Sequence, residues 1–195
     1  MQAPRQAHRE AAVRVVRYLK GCPGQGILLS STSDLRVTAY CDSDWNACPR
    51  TRRSLSSYVV LLGDSPVSWK TKKQDRVSLS SAEAEYRSMT AAVQELLWIK
   101  ELLESIGISH HDPMKLICDS KSALHIAANP VFHERTKHIE KDCHFIRDEI
   151  KRGTVATSHV RTTEQLADLL TKALGRQQFT YLLGKLGVCD LHAPT

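Results

Sequence analysis

The chain has 195 residues, of which 42% are hydrophobic and 25% charged, and it carries a net charge of +6. This composition is typical of a folded globular protein and argues against a disordered chain. No run approaches the roughly 18 apolar residues of a membrane-spanning helix, and the amino terminus carries charges where a signal peptide has its apolar segment. We therefore expect a protein that makes no membrane contact and stays in a reducing compartment.

The amino-terminal half predicts one short helix and then three antiparallel strands. Apolar residues at helical spacing predict a helix over 8–19, which the sequence CPGQG ends. Strict alternation of apolar and polar residues predicts a strand over 35–42. Two more strands, 56–63 and 66–70, form a hairpin pattern around a glycine turn.

Further along the chain, the apolar period changes from two residues to about 3.6. Ser80 and Glu83 form a capping-box pattern, which predicts a helix over 82–105. The remaining predicted elements are a strand over 114–119, a short helix closed by Asn129, a helix over 139–150, a strand over 154–160 and a helix that opens at Thr162 or Thr163.

Two of the predicted strands end in an aspartate. Asp42 ends the strand 35–42, and Asp119 ends the strand 114–119. A strand–helix–strand unit is almost always right-handed and parallel, so both aspartates should lie at one edge of the sheet. Two like charges at close range imply a cation, and a site made of carboxylates favours Mg²⁺ or Mn²⁺.

Two helices offer further acids. Glu85 falls on the apolar stripe of helix 82–105, whereas Glu83 falls on its solvent face. Asp168 lies between two leucines in the second turn of the last predicted helix, near its positive end. The candidate catalytic and metal-binding residues are therefore Asp42, Glu85, Asp119 and Asp168.

Cysteine and histidine spacing does not favour zinc. The six cysteines contain no C-x-x-C pair, which suits isolated thiols and argues against disulfides. His133, His138 and His144 are five and six residues apart, so they miss the i, i+4 spacing that places two ligands on one helix face.

Five segments of the chain resemble the RNase H domain of a copia-type LTR retrotransposon Pol polyprotein. In order they are RVVRYLKGCPGQG, CDSDWNACPRTRRSLSSYVVLLGDSPVSWKTKKQ, SLSSAEAEY, LICDSKSALHIAANPVFHERTKHIEKDCHFIRDEI and TTEQLADLLTKAL. The resemblance implies an α/β protein of the ribonuclease H-like fold, with a five-stranded mixed sheet of three antiparallel and two parallel strands flanked by helices. It also implies a leader at 1–34 similar to the end of the reverse transcriptase, an RNase H-like domain at 35–175, and a C-terminal helix and tail at 176–195.

The same resemblance implies an activity. Family acids at the positions of Asp42, Glu85, Asp119 and Asp168 bind two Mg²⁺ ions, for which Mn²⁺ is a substitute. The expected function is endonucleolytic cleavage of the RNA strand of RNA–DNA hybrids during reverse transcription. The expected partners are the hybrid and the upstream reverse transcriptase, and the expected location is the cytoplasm, in a virus-like particle, or the nucleus. Candidate nucleic-acid contacts are Ser43, Arg52, Arg53, Lys70, Lys72, Lys73 and Ser120.

Other interpretations remain open. A domain that binds nucleic acid or a polymerase without cleaving would keep the same acids, and a different nuclease or transposase on this fold would change the substrate. The basic cluster at 69–76 is either a solvated hairpin face or a phosphate contact. We interpret Asp44 as a turn residue, because the strand is predicted to end at Asp42. His159 ends a strand and is predicted to pack or hydrogen-bond there, although cellular and retroviral relatives carry an assisting histidine in a loop before the last acid.

Overall fold

The computed structural model of the protein describes residues 3–129 and 140–190. Its helices and strands are α1 (Gln6–Gly21), β1 (Gln25–Ile27), β2 (Val37–Asp44), β3 (Leu55–Leu62), β4 (Ser65–Lys73), α2 (Ser81–Ser105), β5 (Met114–Cys118), α3 (Lys121–Ala128), α4 (Glu140–Lys151), β6 (Val155–His159), a 3₁₀ turn (Thr162–Glu164), α5 (Asp168–Thr171), α6 (Arg176–Lys185) and β7 (Val188–Asp190). His133, His138 and the first residue of the predicted helix 139–150 lie outside the described ranges. Within those ranges no helix combines the length and the apolar character needed to cross a bilayer.

The central sheet has five strands in the order β4-β3-β2-β5-β6. Strands β2, β3 and β4 are antiparallel, whereas β5 lies parallel to β2 and β6 parallel to β5. The 25-residue helix α2 supplies the crossover that a parallel neighbour of β2 requires. The predicted five-stranded mixed sheet is therefore confirmed.

The turn between β3 and β4 depends on a glycine. Gly63 has φ +57°, and a Cβ at this position would lie 2.0 Å from Ser33 Oγ and 2.3 Å from the carbonyl oxygen of Asp34. No other residue type fits both this backbone conformation and this close approach.

Helix α2 packs along one face of the sheet and contributes a large part of the core on that face. The apolar stripe predicted for this helix is buried against alternate residues of β2, as expected from the two periods. The principal members are Tyr86, Met89, Val93 and Leu96 on α2 and Val37, Ala39 and Cys41 on β2.

The start of α2 differs in one respect from the sequence expectation. Ser80 is the N-cap, because its Oγ accepts a hydrogen bond from the backbone N–H of Glu83 at 3.1 Å. Glu83 was expected on the solvent face, and this is wrong, since it is only 5% exposed. Its carboxylate accepts hydrogen bonds from the Leu79 backbone N–H and from the Arg87 guanidinium, both at 2.8 Å, which compensates its burial.

The opposite face of the sheet is covered by α5, α6 and the segment before them. Val59 and Leu61 of β3 pack there against Leu166, Leu182 and Leu186. The single helix predicted over EQLADLLTKAL is wrong in extent, because the chain forms a 3₁₀ turn and then the four-residue helix α5. Asp168 is consequently the first residue of α5 rather than a second-turn residue.

The leader and the tail of the chain contact each other. β1 pairs antiparallel with β7, with Gln25 opposite Asp190, and the rings of Tyr18 and Phe179 lie 6.2 Å apart in an edge-to-face arrangement. Helix α1 itself has no buried residue. The predicted division at 34 and 175 stays a prediction.

Candidate active site

The parallel pair β2 and β5 brings two aspartates to the same edge of the sheet. Tyr40 lies opposite Ile117, two residues before Asp42 and Asp119 respectively, and a carboxylate oxygen of Asp42 lies within 4.8 Å of one of Asp119. β2 continues to Asp44, which pairs with Leu55 of β3, so the reason given for a turn at Asp44 is wrong. Asp44 is nevertheless absent from the groups of potential metal ligands found among the described residues.

The four predicted acids come together. One carboxylate oxygen each from Asp42, Asp119 and Asp168 lies within 4.8 Å of the others. A second group with the same spacing contains Glu85, Asp119 and the thiol of Cys118. Asp119 belongs to both groups and therefore connects them into one acid cluster.

The acids of this cluster differ in burial. Asp42 and Asp168 are almost completely buried, at 0% and 2% exposure, and Glu85 is 8% exposed, whereas Asp119 is partly exposed. The backbone beneath Asp42 is fixed by Ser88, whose Oγ lies 2.7 Å from the Asp42 carbonyl oxygen. The cluster thus has a buried floor, and Asp119 forms its accessible side.

The last residue of β6 and the 3₁₀ turn that follows it support Asp119. Thr162 Oγ1 donates a hydrogen bond to Asp119 Oδ2 at 2.8 Å. His159 Nε2 lies 3.2 Å from the Asp119 carbonyl oxygen, so the hydrogen-bonding position predicted for His159 is confirmed.

Two residues of the site were not identified from the sequence. Lys172 Nζ lies 3.0 Å from Asp42 Oδ1 and 2.7 Å from Asp168 Oδ1. Thr171 Oγ1 donates a short hydrogen bond to Asp42 Oδ2. The spacing of four residues between Asp168 and Lys172 is a signal that could have revealed the second contact, since i, i+4 pairs share a helix face.

The environment of Glu85 favours its protonated form. Burial, together with repulsion by the nearby Cys118, Asp42 and Asp119, raises the pKa of Glu85 to about 10. A hydrogen bond from the Ser43 backbone opposes the shift. Because a buried carboxyl group ionises readily near neutral pH only when its charge is compensated, this position needs a cation to become a carboxylate.

Asp168 is perturbed in the same direction. Burial and the charge of Asp42 raise the pKa of Asp168 to about 7, against the opposing effect of the Lys172 ammonium. Raised carboxyl pKa values in one cluster are typical of functional sites. Closely spaced carboxylate oxygens are the hard ligands that Mg²⁺ and Mn²⁺ bind, so the donor set fits a divalent cation.

A basic strand, β4, lies at the edge of the sheet, next to β3. The exposed lysines of the edge strand β4 line two grooves against α2, with volumes of about 250 and 310 Å³. Ser88, which holds the Asp42 carbonyl, also lines the first groove. The lysines are Lys70 and Lys72 in the first groove and Lys72 and Lys73 in the second.

The other candidate nucleic-acid contacts occupy varied environments. Arg52 and Arg53 are exposed in the loop before β3. Ser43 is buried, with its Oγ 3.4 Å from Gln74 Nε2, and Ser120 caps α3. These structural contacts account for both serines, and their contact with nucleic acid stays a prediction.

Comparison with known proteins identifies close relatives. No protein-family model matches the chain. The chain is 44% identical over 188 residues to the retrovirus-related Pol polyprotein from transposon RE1 of Arabidopsis thaliana and 45% identical over 188 residues to that from transposon RE2. It is 33% identical over 179 residues to the Pol polyprotein from transposon TNT 1-94 of Nicotiana tabacum. These alignments cover 92–96% of this chain but 13% of each relative, so the chain spans a small part of their length.

Solved structures share the fold at low sequence identity. LC11-RNase H1 in complex with an RNA/DNA hybrid has a TM-score of 0.52 and 13% identity, over 69% of this chain and 93% of that one. The N-terminal RNase H domain of a Mycobacterium tuberculosis protein has a TM-score of 0.50 and 12% identity, over 77% and 98%. At such identities the likeness concerns the arrangement of strands and helices.

Proposed function

This chain belongs to the family of retrovirus-related Pol polyproteins of transposons and has the ribonuclease H fold, and we propose that it hydrolyses the RNA strand of RNA–DNA hybrids with Mg²⁺. The observation that carries this proposal is the acid cluster, in which Asp119 connects Glu85 and Cys118 on one side with Asp42 and Asp168 on the other. Asp42, Glu85, Asp119 and Asp168 would hold the metal. When bound, divalent ions activate a water for attack on the scissile phosphate and stabilise the departing 3′ oxygen.

The chain's own residues would set the geometry of the reaction. Ser88 and Thr162 hold the Asp42 backbone and the Asp119 carboxylate in place, so the ligands are positioned before a metal arrives. Burial of Asp42 and Asp168 excludes water from one side of the cluster. The partly exposed Asp119 leaves the other side open to a phosphate.

The basic strand β4 supports a polyanionic substrate. Its lysines lie along the two grooves against α2, where they would contact backbone phosphates and fix the register of the duplex. An A-like hybrid would be distinguished from DNA by its 2′-hydroxyl groups. The chain spans a small part of the Pol polyproteins that it resembles, and we propose an upstream reverse transcriptase of the same polyprotein as its physiological partner.

The test is cleavage of an RNA–DNA hybrid labelled on the RNA strand, with Mg²⁺ or with EDTA. We expect metal-dependent cleavage by the wild type and more than about a hundredfold loss in Asp119→Asn, beyond the usual effect of a supporting residue. Asp44→Asn is the matched control, because it removes the same charge outside the acid cluster. Cleavage by a folded Asp119→Asn protein at the wild-type rate would reject the proposal.

A second function, hybrid binding without cleavage, is favoured by one observation. Lys172 lies between Asp42 and Asp168, where its charge opposes a metal ion. Hybrid binding without cleavage in either Mg²⁺ or Mn²⁺ would support this alternative. Digestion of RNA–RNA and DNA–DNA duplexes in parallel would show whether the hybrid is the preferred substrate.

A further inference from the structure

The ammonium group of Lys172 lies inside the acid cluster. It forms ion pairs with Asp42 at 3.0 Å and with Asp168 at 2.7 Å, and the side chains of both acids are almost completely buried. The second oxygen of Asp42 accepts a hydrogen bond from Thr171. Both oxygens of Asp42 are therefore already engaged.

The other half of the cluster has no such cation. Among the ion pairs between residues that the structure describes, none involves Glu85 or Asp119. The acid cluster is thus divided into a lysine half, formed by Asp42 and Asp168, and an open half, formed by Glu85 and Asp119.

We propose that Lys172 is a built-in cation that controls metal occupancy: a first divalent ion binds at the open half, and a second binds the lysine half only when Lys172 withdraws. This inference rests on the metal site of the proposed function. An ammonium group and a divalent ion repel each other at close range in a buried site, so the two compete for the same carboxylates.

The side chain of Lys172 is suited to withdrawal. It is 31% exposed, whereas its two partners are almost fully buried, so its path leads to solvent. Lysine carries a compact charge on a flexible four-carbon chain, which allows the ammonium to leave without movement of the backbone. In the absence of metal, the same contact compensates the charges of two buried acids and stabilises the cluster.

The test is a titration of the full chain with Mn²⁺. Calorimetry and electron paramagnetic resonance measure how many ions bind and how tightly. We expect the wild type to bind one ion tightly and a second weakly. In Lys172→Gln, which keeps a hydrogen-bond donor and loses the charge, the weaker ion should bind at least about tenfold more tightly. An unchanged affinity for the second ion in Lys172→Gln would overturn the inference.

Two controls isolate the charge at this position. Lys172→Arg keeps a cation and should retain the weak second site. Lys100→Gln removes a lysine whose contact, with Glu104 at 4.0 Å, lies on the surface of α2, and it should bind Mn²⁺ as the wild type does. Tighter binding in Lys100→Gln would mean that net charge is responsible and would also overturn the inference.

The variant remains informative if it folds poorly. Loss of Lys172 leaves two buried acids without a cation. If Lys172→Gln folds poorly for this reason, added Mn²⁺ should restore its circular dichroism spectrum. Failure of saturating Mn²⁺ to restore folding would overturn the inference. If the wild type binds Mn²⁺ and cleaves the hybrid but Lys172→Gln binds the second ion no more tightly, this inference alone is rejected. If the wild type binds no Mn²⁺, the proposed function is rejected as well.

Discussion

The side-chain amide of Gln165 donates a 3.0 Å hydrogen bond to the carbonyl oxygen of Cys41, 124 residues earlier in the chain. Cys41 directly precedes Asp42. The side-chain oxygen of Gln165 accepts a hydrogen bond from the backbone of Ala167, directly before Asp168. One buried side chain therefore fixes the backbone next to both acids of the lysine half.

Replacement of Gln165 by methionine should destabilise the protein and weaken its metal site. The variant keeps the length of the side chain but leaves the buried Cys41 carbonyl without its partner, which should lower the free energy of unfolding by about 1–3 kcal/mol. Denaturant unfolding and Mn²⁺ titration would measure the two effects. Gln177→Met, at an exposed position of α6, is the control and should change neither. Wild-type stability in Gln165→Met would contradict this expectation.

The metal-free protein should lose stability as the pH rises, because of Glu85. Its pKa is about 10 in the folded state and lies near 4.5 when the chain is unfolded. Between these values the folded state holds a proton that the unfolded state has released, so this group's contribution falls with rising pH by up to about 1.4 kcal/mol per unit. Urea unfolding in EDTA at pH 5 and pH 8 would measure the loss.

Glu85→Gln is the control for that titration. Its amide does not ionise, so the variant should lose less stability than the wild type between pH 5 and pH 8. Metal binding requires the deprotonated carboxylate, and the affinity of the wild type for Mn²⁺ should accordingly rise over this range. Parallel stability profiles of the two proteins would show that Glu85 is not the responsible group.

The parts of the fold that follow from local patterns were predictable. The 3.6-residue period of α2 placed Glu85 on the buried face, and the handedness of strand–helix–strand units placed Asp42 beside Asp119. These features depend on spacing within a segment or on rules that hold for nearly all sheets.

Features that depend on a tertiary partner were not predictable. The helix expected over EQLADLLTKAL is interrupted because Gln165 binds the backbone of β2 instead of facing solvent. Glu83 is buried because Leu79 and Arg87 satisfy its carboxylate. Lys172 looks like an ordinary helical lysine in the sequence, and only its packing against β2 reveals its place between two acids.

The lysines of β4 should contribute to hybrid binding through phosphate contacts. Replacement of Lys70, Lys72 and Lys73 together by glutamine should weaken binding and lower the slope of log K against log salt concentration by about one for each lost contact. Fluorescence anisotropy of a labelled hybrid at several salt concentrations measures this slope. The control replaces Lys20, Lys115 and Lys151, which are exposed elsewhere. An equal effect of the two triple variants would show that net charge alone governs binding.

Cys48 should react as a thiolate near neutral pH. Hydrogen bonds from Thr51, together with one from Lys73, whose Nζ lies 3.3 Å from the sulfur, lower the pKa of its thiol to about 6. The rate of alkylation by iodoacetamide, measured by mass spectrometry at several pH values, should therefore reach its midpoint near pH 6 at Cys48. For an ordinary thiol the midpoint is about pH 8.5. Lys73→Met should move the midpoint upward. Because Lys73 is also a proposed phosphate contact, a bound hybrid should slow alkylation of Cys48, and a rate unaffected by saturating hybrid would place the substrate away from this end of β4.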